Sequence, residues 1–200
     1  MDETSASEPD LIKRARNGDK AAFAGLVRRY QDYIYNAAVH MVGRWQDAED
    51  LTQQVFLKAF RGISGFRQKS RFTTWLYSIM LNCVRSFWRR QDRAPHEVSL
   101  DSGGDADGSA PDPRGPSSDK PLNRLLSKER VQVVRDAIQQ LDPNMKEVVV
   151  LRDIQGLSYR EVATCLDLPL GTVKSRLARA RRALRDEIAR IFHESSVRQM

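Results

Sequence analysis

The sequence is poor in the residue types that build catalytic and metal centres. Its two cysteines in 200 residues, Cys83 and Cys165, lie far apart inside helix-like apolar patterns. Neither a disulfide framework nor a zinc site is expected from them, and a reducing compartment fits. The three histidines, His40, His96 and His193, are too scattered for metal-ligand spacing. No GxxxxGK[ST] loop occurs to cradle a phosphate. Asp47-Ala48-Glu49-Asp50 has the acidity of a metal run, but on a helix Asp47 and Asp50 share a face without partners, and helix capping is the simpler reading. No apolar run approaches the ~18 residues of a membrane span; the longest, from Trp75 to Val84, is broken by Ser78 and Asn82. The start, Met1-Asp2-Glu3, is acidic and has no apolar stretch, so export is not expected. Catalytic residues, metal ligands and cofactors are therefore all read as none, membrane insertion is not expected, and a cytoplasmic location fits.

What the sequence does have is positive charge, unevenly placed. Lysine and arginine number 33 against 26 acidic residues, a formal net charge of +7 with a pI near 9.7 and a mean hydropathy of −0.55. That surplus suits a polyanion partner, although solubility alone also accounts for it. Residues 1–93 and 124–200 are both basic, whereas residues 94–123 are acidic and hold five of the eight prolines. The stretch Asp101-Ser102-Gly103-Gly104-Asp105-Ala106-Asp107-Gly108-Ser109 has no apolar period with which to order itself. It reads as a flexible acidic linker, spanning ~30 Å as a coil. The expected organisation is a disordered tail over 1–9, a domain over 10–93, the linker over 94–123, a second domain over 124–192 and a C-terminal tail over 193–200.

Both domains read as helical, with no strand alternation and no internal repeat. Apolar spacing predicts helices over 10–17, from 19 onward through Ala38, over 47–60 and over 72–90 in the first domain, then over 128–141, 143–155, 158–166 and 170–192 in the second. Three acids would fall in the first turn of the 47–60 helix, where the helix dipole favours them. Asp142-Pro143 is a cap followed by a first-turn proline. The fold class is all-α, two helical domains joined by the flexible linker.

The segment from Ser158 to Leu177 has the spacing of a helix-turn-helix. Ser158 and Glu161 form a capping box, Val162, Leu166, Leu168, Val173 and Leu177 supply an apolar seam, and Asp167 stands at the turn, where a left-handed backbone is needed. The second helix carries Lys174, Arg176, Arg179, Arg181, Arg182, Arg185 and Arg190 against Asp186 and Glu187. As a recognition helix it would bring Thr172, Lys174, Ser175 and Arg179 near base edges, with the further arginines on phosphates. A solvated basic helix that only packs a bundle is the alternative.

In the 72–90 helix, Phe72, Trp75, Leu76, Ile79, Met80, Cys83, Val84 and Phe87 form the core face, and Asn82, Arg85, Ser86 and Arg89 form the opposite stripe. Trp88 and Arg90 flank that stripe, and Arg67, Lys69 and Arg71 precede it. Basic residues mixed with aromatics suit a single-stranded nucleic acid; an ordinary solvated face stays open beside that reading. The 47–60 helix points Ala48, Leu51, Val55 and Ala59 inward and leaves Asp47, Asp50, Gln53, Gln54 and Lys58 outside. An acid- and amide-rich face does not bind DNA but can dock a basic or polar protein surface, or simply keep the domain soluble.

These segments resemble the extracytoplasmic-function (ECF) sigma factors of bacterial RNA polymerase, in the sigma-70 superfamily. Residues 47–60 are similar to the family's region 2.2, Phe72-Thr73-Thr74-Trp75-Leu76-Tyr77-Ser78-Ile79 with Asn82 to regions 2.3 and 2.4, and residues 156–163 with 171–181 to region 4.2. The resemblance implies a non-enzymatic specificity subunit that directs core polymerase to promoters. Asp47, Asp50, Gln53 and Gln54 would dock the β′ clamp helices. Asn82, Arg85, Ser86 and Arg89, with the 62–71 loop and Arg71, would capture the non-template strand of the −10 element, one base flipped into a pocket. Thr172, Lys174, Ser175, Arg176 and Arg179 would read the −35 duplex, and the second domain would also touch the β flap. The linker would thread the polymerase near the RNA exit path, and an anti-sigma factor would hold the protein inactive, in some cases at the membrane. The chain departs from the pattern at Ala178, at Trp45-Gln46 and at Asn144-Met145-Lys146. A stand-alone helix-turn-helix regulator explains residues 124–200 but leaves the Asn82 stripe and the acidic face without a task. A recombinase would need a nucleophile or metal cluster, and neither is evident.

Overall fold

The computed structural model describes residues 6–93 and 121–197. Among the described residues there are eight α-helices and no strand: α1 (Glu8–Arg16), α2 (Lys20–Val42), α3 (Trp45–Gly62), α4 (Phe72–Gln91), α5 (Pro121–Gln139), α6 (Pro143–Val149), α7 (Tyr159–Leu166) and α8 (Leu170–Val197). A 3-10 turn, Ile63–Gly65, follows α3, and a π-helical turn, Val150–Ile154, continues α6. The expected linker falls outside the described residues except for 121–123, which open α5; His96 lies outside them too.

Local chemistry explains most of the boundaries. Helix α1 starts at Glu8, two residues earlier than the apolar period alone indicates, because the Ser7 hydroxyl accepts from the Asp10 amide and Glu8 accepts a 2.5 Å hydrogen bond from the Tyr30 hydroxyl of α2. Asp19 caps α2 through the Ala22 amide at 3.0 Å. Gly43, at φ +81°, ends α2 in the left-handed conformation that glycine adopts without steric cost. Helix α3 then begins at Trp45 behind an extended Arg44, so Asp47 is the one acid left in its first turn, where three were expected. Proline stands at the start of α6 as expected, but the Asp142 side chain makes no capping bond.

The first domain packs α1 on α2, α2 on α3 and α4 across both. Phe72, Leu76, Met80, Leu81 and Val84 of α4 are at most 2% exposed, each large apolar side chain contributing about 1.5–3 kcal/mol. Phe66, Phe72, Trp75 and Tyr30 form one aromatic cluster, with centroids 4.9–5.6 Å apart. In the second domain α6 packs on α8, and Val148, Val149, Val150 and Leu151 are all buried.

The two cores are continuous. Helix α4 lies against α7, and α2 against α5 and the π-helical turn. Besides the ion pairs described below, neutral hydrogen bonds cross the seam. The Tyr77 hydroxyl meets Gln155 Oε1 at 2.8 Å. The Cys165 thiol donates to the Thr74 carbonyl at 3.4 Å, and Gln139 Nε2 donates to the His40 carbonyl at 2.8 Å. Burial of the His40 imidazole, with the Arg135 charge nearby, pushes its pKa down to about 4. Arg135 itself lies 4.5 Å over the Trp45 ring. A side chain at Gly43 would need both a left-handed backbone and space held by Gln139, whose atoms lie 3.0 Å from a Cβ there. Gly43→Ala is expected to destabilise the protein by about 1–2 kcal/mol, read as a lower midpoint of urea unfolding; an unchanged midpoint would count against this account of the α2 terminus.

Candidate nucleic-acid interface

The helix-turn-helix forms as the sequence indicates. Ser158 Oγ accepts from the Glu161 amide, and the Glu161 carboxylate accepts from the Ser158 amide at 2.8 Å, closing the capping box. Asp167 adopts φ 53°, ψ 51°, the left-handed turn. Val162, Leu166, Val173 and Leu177 are buried, which fixes the face that α8 turns outward.

Along that outward face Lys174, Ser175 and Arg179 are exposed and Thr172 is partly exposed, with Arg182 and Arg185 continuing the row. Arg176 is half-buried, its guanidinium 3.4 Å from Asn144 Oδ1. Two arginines counted as phosphate contacts are engaged elsewhere. Arg181 makes a bidentate pair with Asp153 at 2.9 and 2.6 Å, which raises its pKa, and Arg190 pairs with Glu187 and Glu194. The cations directed outward are thus Lys174, Arg179, Arg182 and Arg185.

Helix α4 presents its candidates less freely than periodicity implies. Asn82 and Arg89 are exposed, and Ser86 is partly so. The Ser86 hydroxyl donates to the Asn82 carbonyl and accepts from Arg89 at 3.2 Å. Arg85, however, is turned into the seam, where Nε and Nη2 donate to the two oxygens of Glu147 at 2.7 and 2.9 Å. This bond outweighs desolvation and raises the Arg85 pKa. Glu147 is 2% exposed. Removing one partner of such a pair leaves an uncompensated charge costing about 3 kcal/mol, the low end for a buried pair because the guanidinium keeps 40% of its exposure. Arg71, on the loop before α4, lies 3.4 Å from Glu161. Its charge adds to the Ser158 hydrogen bonds that hold the Glu161 carboxyl below its ordinary pKa.

On α3, Asp50 and Gln53 are exposed, Gln54 is half-buried, and Asp47 sits 3.7 Å from Arg44. Beside them runs an open apolar groove of about 410 Å³ between α2 and α3, lined by Phe23, Val27, Phe56, Leu57 and Phe60 among others. Leu57 is 57% and Phe60 42% exposed, an apolar surface that suits protein rather than DNA. Sequence reasoning passed over the groove, although two large apolar residues on the outer face of α3 were its signal. It also passed over Glu147, a carboxylate leading into the apolar run Val148-Val149-Val150-Leu151. Among the described residues no group of three His, Cys, Asp or Glu side chains could hold a metal, and no helix is long and apolar enough to cross a membrane.

Comparison with known proteins identifies the family. Residues 26–94 match the family model for sigma-70 region 2, and residues 132–184 match sigma-70 region 4. The chain is 37% identical over 178 residues to the ECF RNA polymerase sigma-E factor of Haemophilus influenzae, covering 89% of this chain and 93% of that one. The chain belongs to the ECF sigma factors. The RNA polymerase sigma-H factor of Pseudomonas aeruginosa is 34% identical to this sigma factor over 192 residues, 96% of this chain and 99% of that one. The backbone resembles CnrH, solved in complex with the cytosolic domain of CnrY, at TM-score 0.63 and 26% identity over 88% of this chain and 94% of the other. It also resembles the sigma factor RpoE of Bartonella quintana, solved with the anti-sigma factor NepR, at TM-score 0.62 and 25% identity over 84% of this chain and 96% of the other.

The pairing pattern on α8 separates its arginines experimentally. Arg182→Ala should flatten the log–log salt dependence of duplex binding by ~0.9, whereas Arg181→Ala, already neutralised by Asp153, should leave the slope unchanged. Arg179→Ala should cost ~1–3 kcal/mol of discrimination for the preferred duplex. Equal slopes for Arg181→Ala and Arg182→Ala would refute the assignment.

Proposed function

We propose that this sigma factor positions core RNA polymerase on promoters through three separate surfaces and performs no chemistry of its own. The face of α3, with Asp47, Asp50, Gln53, Gln54 and the adjoining apolar groove, docks the polymerase β′ clamp helices. Asn82, Arg85, Ser86 and Arg89 of α4, with Arg71, hold the unpaired non-template strand of the −10 element. Thr172, Lys174, Ser175, Arg176 and Arg179 of α8 read the −35 duplex, and the same domain meets the β flap. Strand capture lowers the cost of opening the duplex, since free energy gained on the single strand offsets unpairing and unstacking. Work takes place in the cytoplasm, and release from an anti-sigma factor, the kind of partner carried by the Bartonella structure, switches the protein on.

The observation that carries this reading is the division of chemistry between α4 and α8. Helix α8 directs a row of cations outward from a buried, capped helix-turn-helix, as a duplex groove requires. Helix α4 offers an amide, a hydroxyl and guanidiniums beside aromatic rings, as an unstacked strand requires. A stand-alone duplex regulator has no use for the second set.

Run-off transcription with purified bacterial core polymerase on genomic promoter fragments tests the reading directly. Initiation that depends on this protein is the expected result; gel-shift binding without initiation would favour a stand-alone regulator. The double variant Asp50→Ala/Gln54→Ala should bind core polymerase at least ~10-fold more weakly, about 1.4 kcal/mol, with unchanged helical circular dichroism. Wild-type core affinity would remove α3 from the docking surface.

A further inference from the structure

Lys174, Arg181 and Arg185 lie on one flank of α8. Seven residues make two turns less about 20°, and four make one turn plus about 40°, so the three cations stack roughly 10 and 6 Å apart along the axis. All three are exposed, and among the described residues the middle one alone meets a carboxylate. Each oxygen of Asp153 accepts from one guanidinium nitrogen of Arg181, at 2.9 and 2.6 Å. The pair spans 28 positions in sequence, so it belongs to the tertiary fold and not to the helix.

The π-helical turn aims that carboxylate. Its wide bond runs from the Gln155 amide to the Val150 carbonyl at 2.9 Å, and Val150 and Leu151 anchor it in the core. Arg152 turns toward α7, its guanidinium 5.0 Å over the Tyr159 ring and 2.9 Å from the Leu157 carbonyl. Asp153 turns toward α8. Neighbouring residues of one turn thus grip both helices of the helix-turn-helix.

We propose that Asp153 is a specificity-determining residue of the duplex surface: it withholds Arg181 from phosphate and so keeps sequence-independent binding low. The inference rests on the duplex-reading role of α8 above and adds the residue that limits it. A guanidinium meets a carboxylate and a phosphate with the same fork geometry. Moving Arg181 from Asp153 to DNA therefore exchanges one anion for another and releases few counterions. An Arg181 without Asp153 gains most on a random duplex, where α8 tilts to whichever phosphates suit it. On the preferred duplex, Lys174 and Arg179 at the base edges fix that tilt, and the flank takes only the phosphates this one orientation offers. Asp153 lowers affinity for every sequence, and lowers it most for the wrong ones.

The test compares the full-length wild type with Asp153→Asn, Asp153→Glu, Arg181→Ala and Asp153→Asn/Arg181→Ala. Each is titrated between about 50 and 200 mM salt on a random duplex and on one carrying the −35 element mapped by run-off transcription. Asp153→Asn keeps the size of the side chain and removes its charge. It is expected to steepen the log–log slope on the random duplex by ~0.9, losing about 3.5-fold more affinity than the wild type over that range. At low salt it should bind the random duplex ~3-fold more tightly and the preferred one less than ~1.5-fold more tightly, about a 2-fold loss of discrimination. Asp153→Glu restores a carboxylate and with it the wild-type slope. In the Arg181→Ala background, Asp153→Asn should leave the slope where it was. A merely structural Asp153 would weaken binding to both duplexes without steepening either slope. An unchanged slope, equal steepening in the wild-type and Arg181→Ala backgrounds, or an equal gain on both duplexes refutes the assignment. Where Asp153→Asn does not fold, Asp153→Ser decides by the same criteria. Successful run-off with an unchanged slope removes Asp153 and leaves the promoter reading standing; a wild type that neither initiates nor binds duplex overturns both.

Discussion

Helix α4 carries the constraint on which the rest of the molecule depends: twenty residues must close two cores and still leave a surface for a partner. Successive residues step about 100° around a helix, so Phe72, Leu76, Met80 and Val84 point at α2 and α3. The Tyr77 hydroxyl and the Thr74 carbonyl meet the second domain. What is left is a narrow strip bearing Asn82, Ser86 and Arg89, and Arg85 falls at its edge, between the second core and water. A residue at that edge has two environments available to it. It occupies the first, where Glu147 of the second domain takes two of its donors.

Charge on α8 shows a related economy. Seven cations are crowded on its outer and flanking faces, and of the three that do not face outward two are matched by carboxylates, Arg181 by Asp153 of the π-helical turn and Arg190 by its neighbours one turn away, while Arg176 lies against the neutral Asn144. The matched arginines brace the helix, and the unmatched ones are left to a polyanion. Counting basic residues overstates the charge available for binding, since an arginine already bonded to a carboxylate displaces few counterions.

Much of this was legible in the sequence, and the reasons are local. Ser158 with Glu161, and Asp167 at the turn, specify the helix-turn-helix through bonds that close within a few residues. The apolar period of α4 and the burial of Cys83 and Cys165 followed from spacing. The α3 groove and the starts of α1 and α3 were local misses; the others are long-range. Nothing within Arg85's own helix reveals a partner 62 positions away. Gly43 reads as a helix terminator, which it is, but its proximity to Gln139 depends on how two domains meet. The four buried residues from Val148 to Leu151 read as a helix with no assigned face, because all sides are covered only once the first domain is docked. Of the candidate site, Lys174, Ser175 and Arg179 of α8 are exposed, whereas Arg176 is half-buried beside Asn144. On α4 and its preceding loop the identities were available but the occupancy was not.

The outward row on α8 is left uncovered by the first domain, which bears on how it would meet a duplex. Lys174, Arg182 and Arg185 meet any phosphate equally well, so moving by one base pair exchanges one set of condensed counterions for another at nearly constant free energy. On the proposed reading, such a row would let the duplex contact shift by single base pairs while Arg179 met each groove in turn.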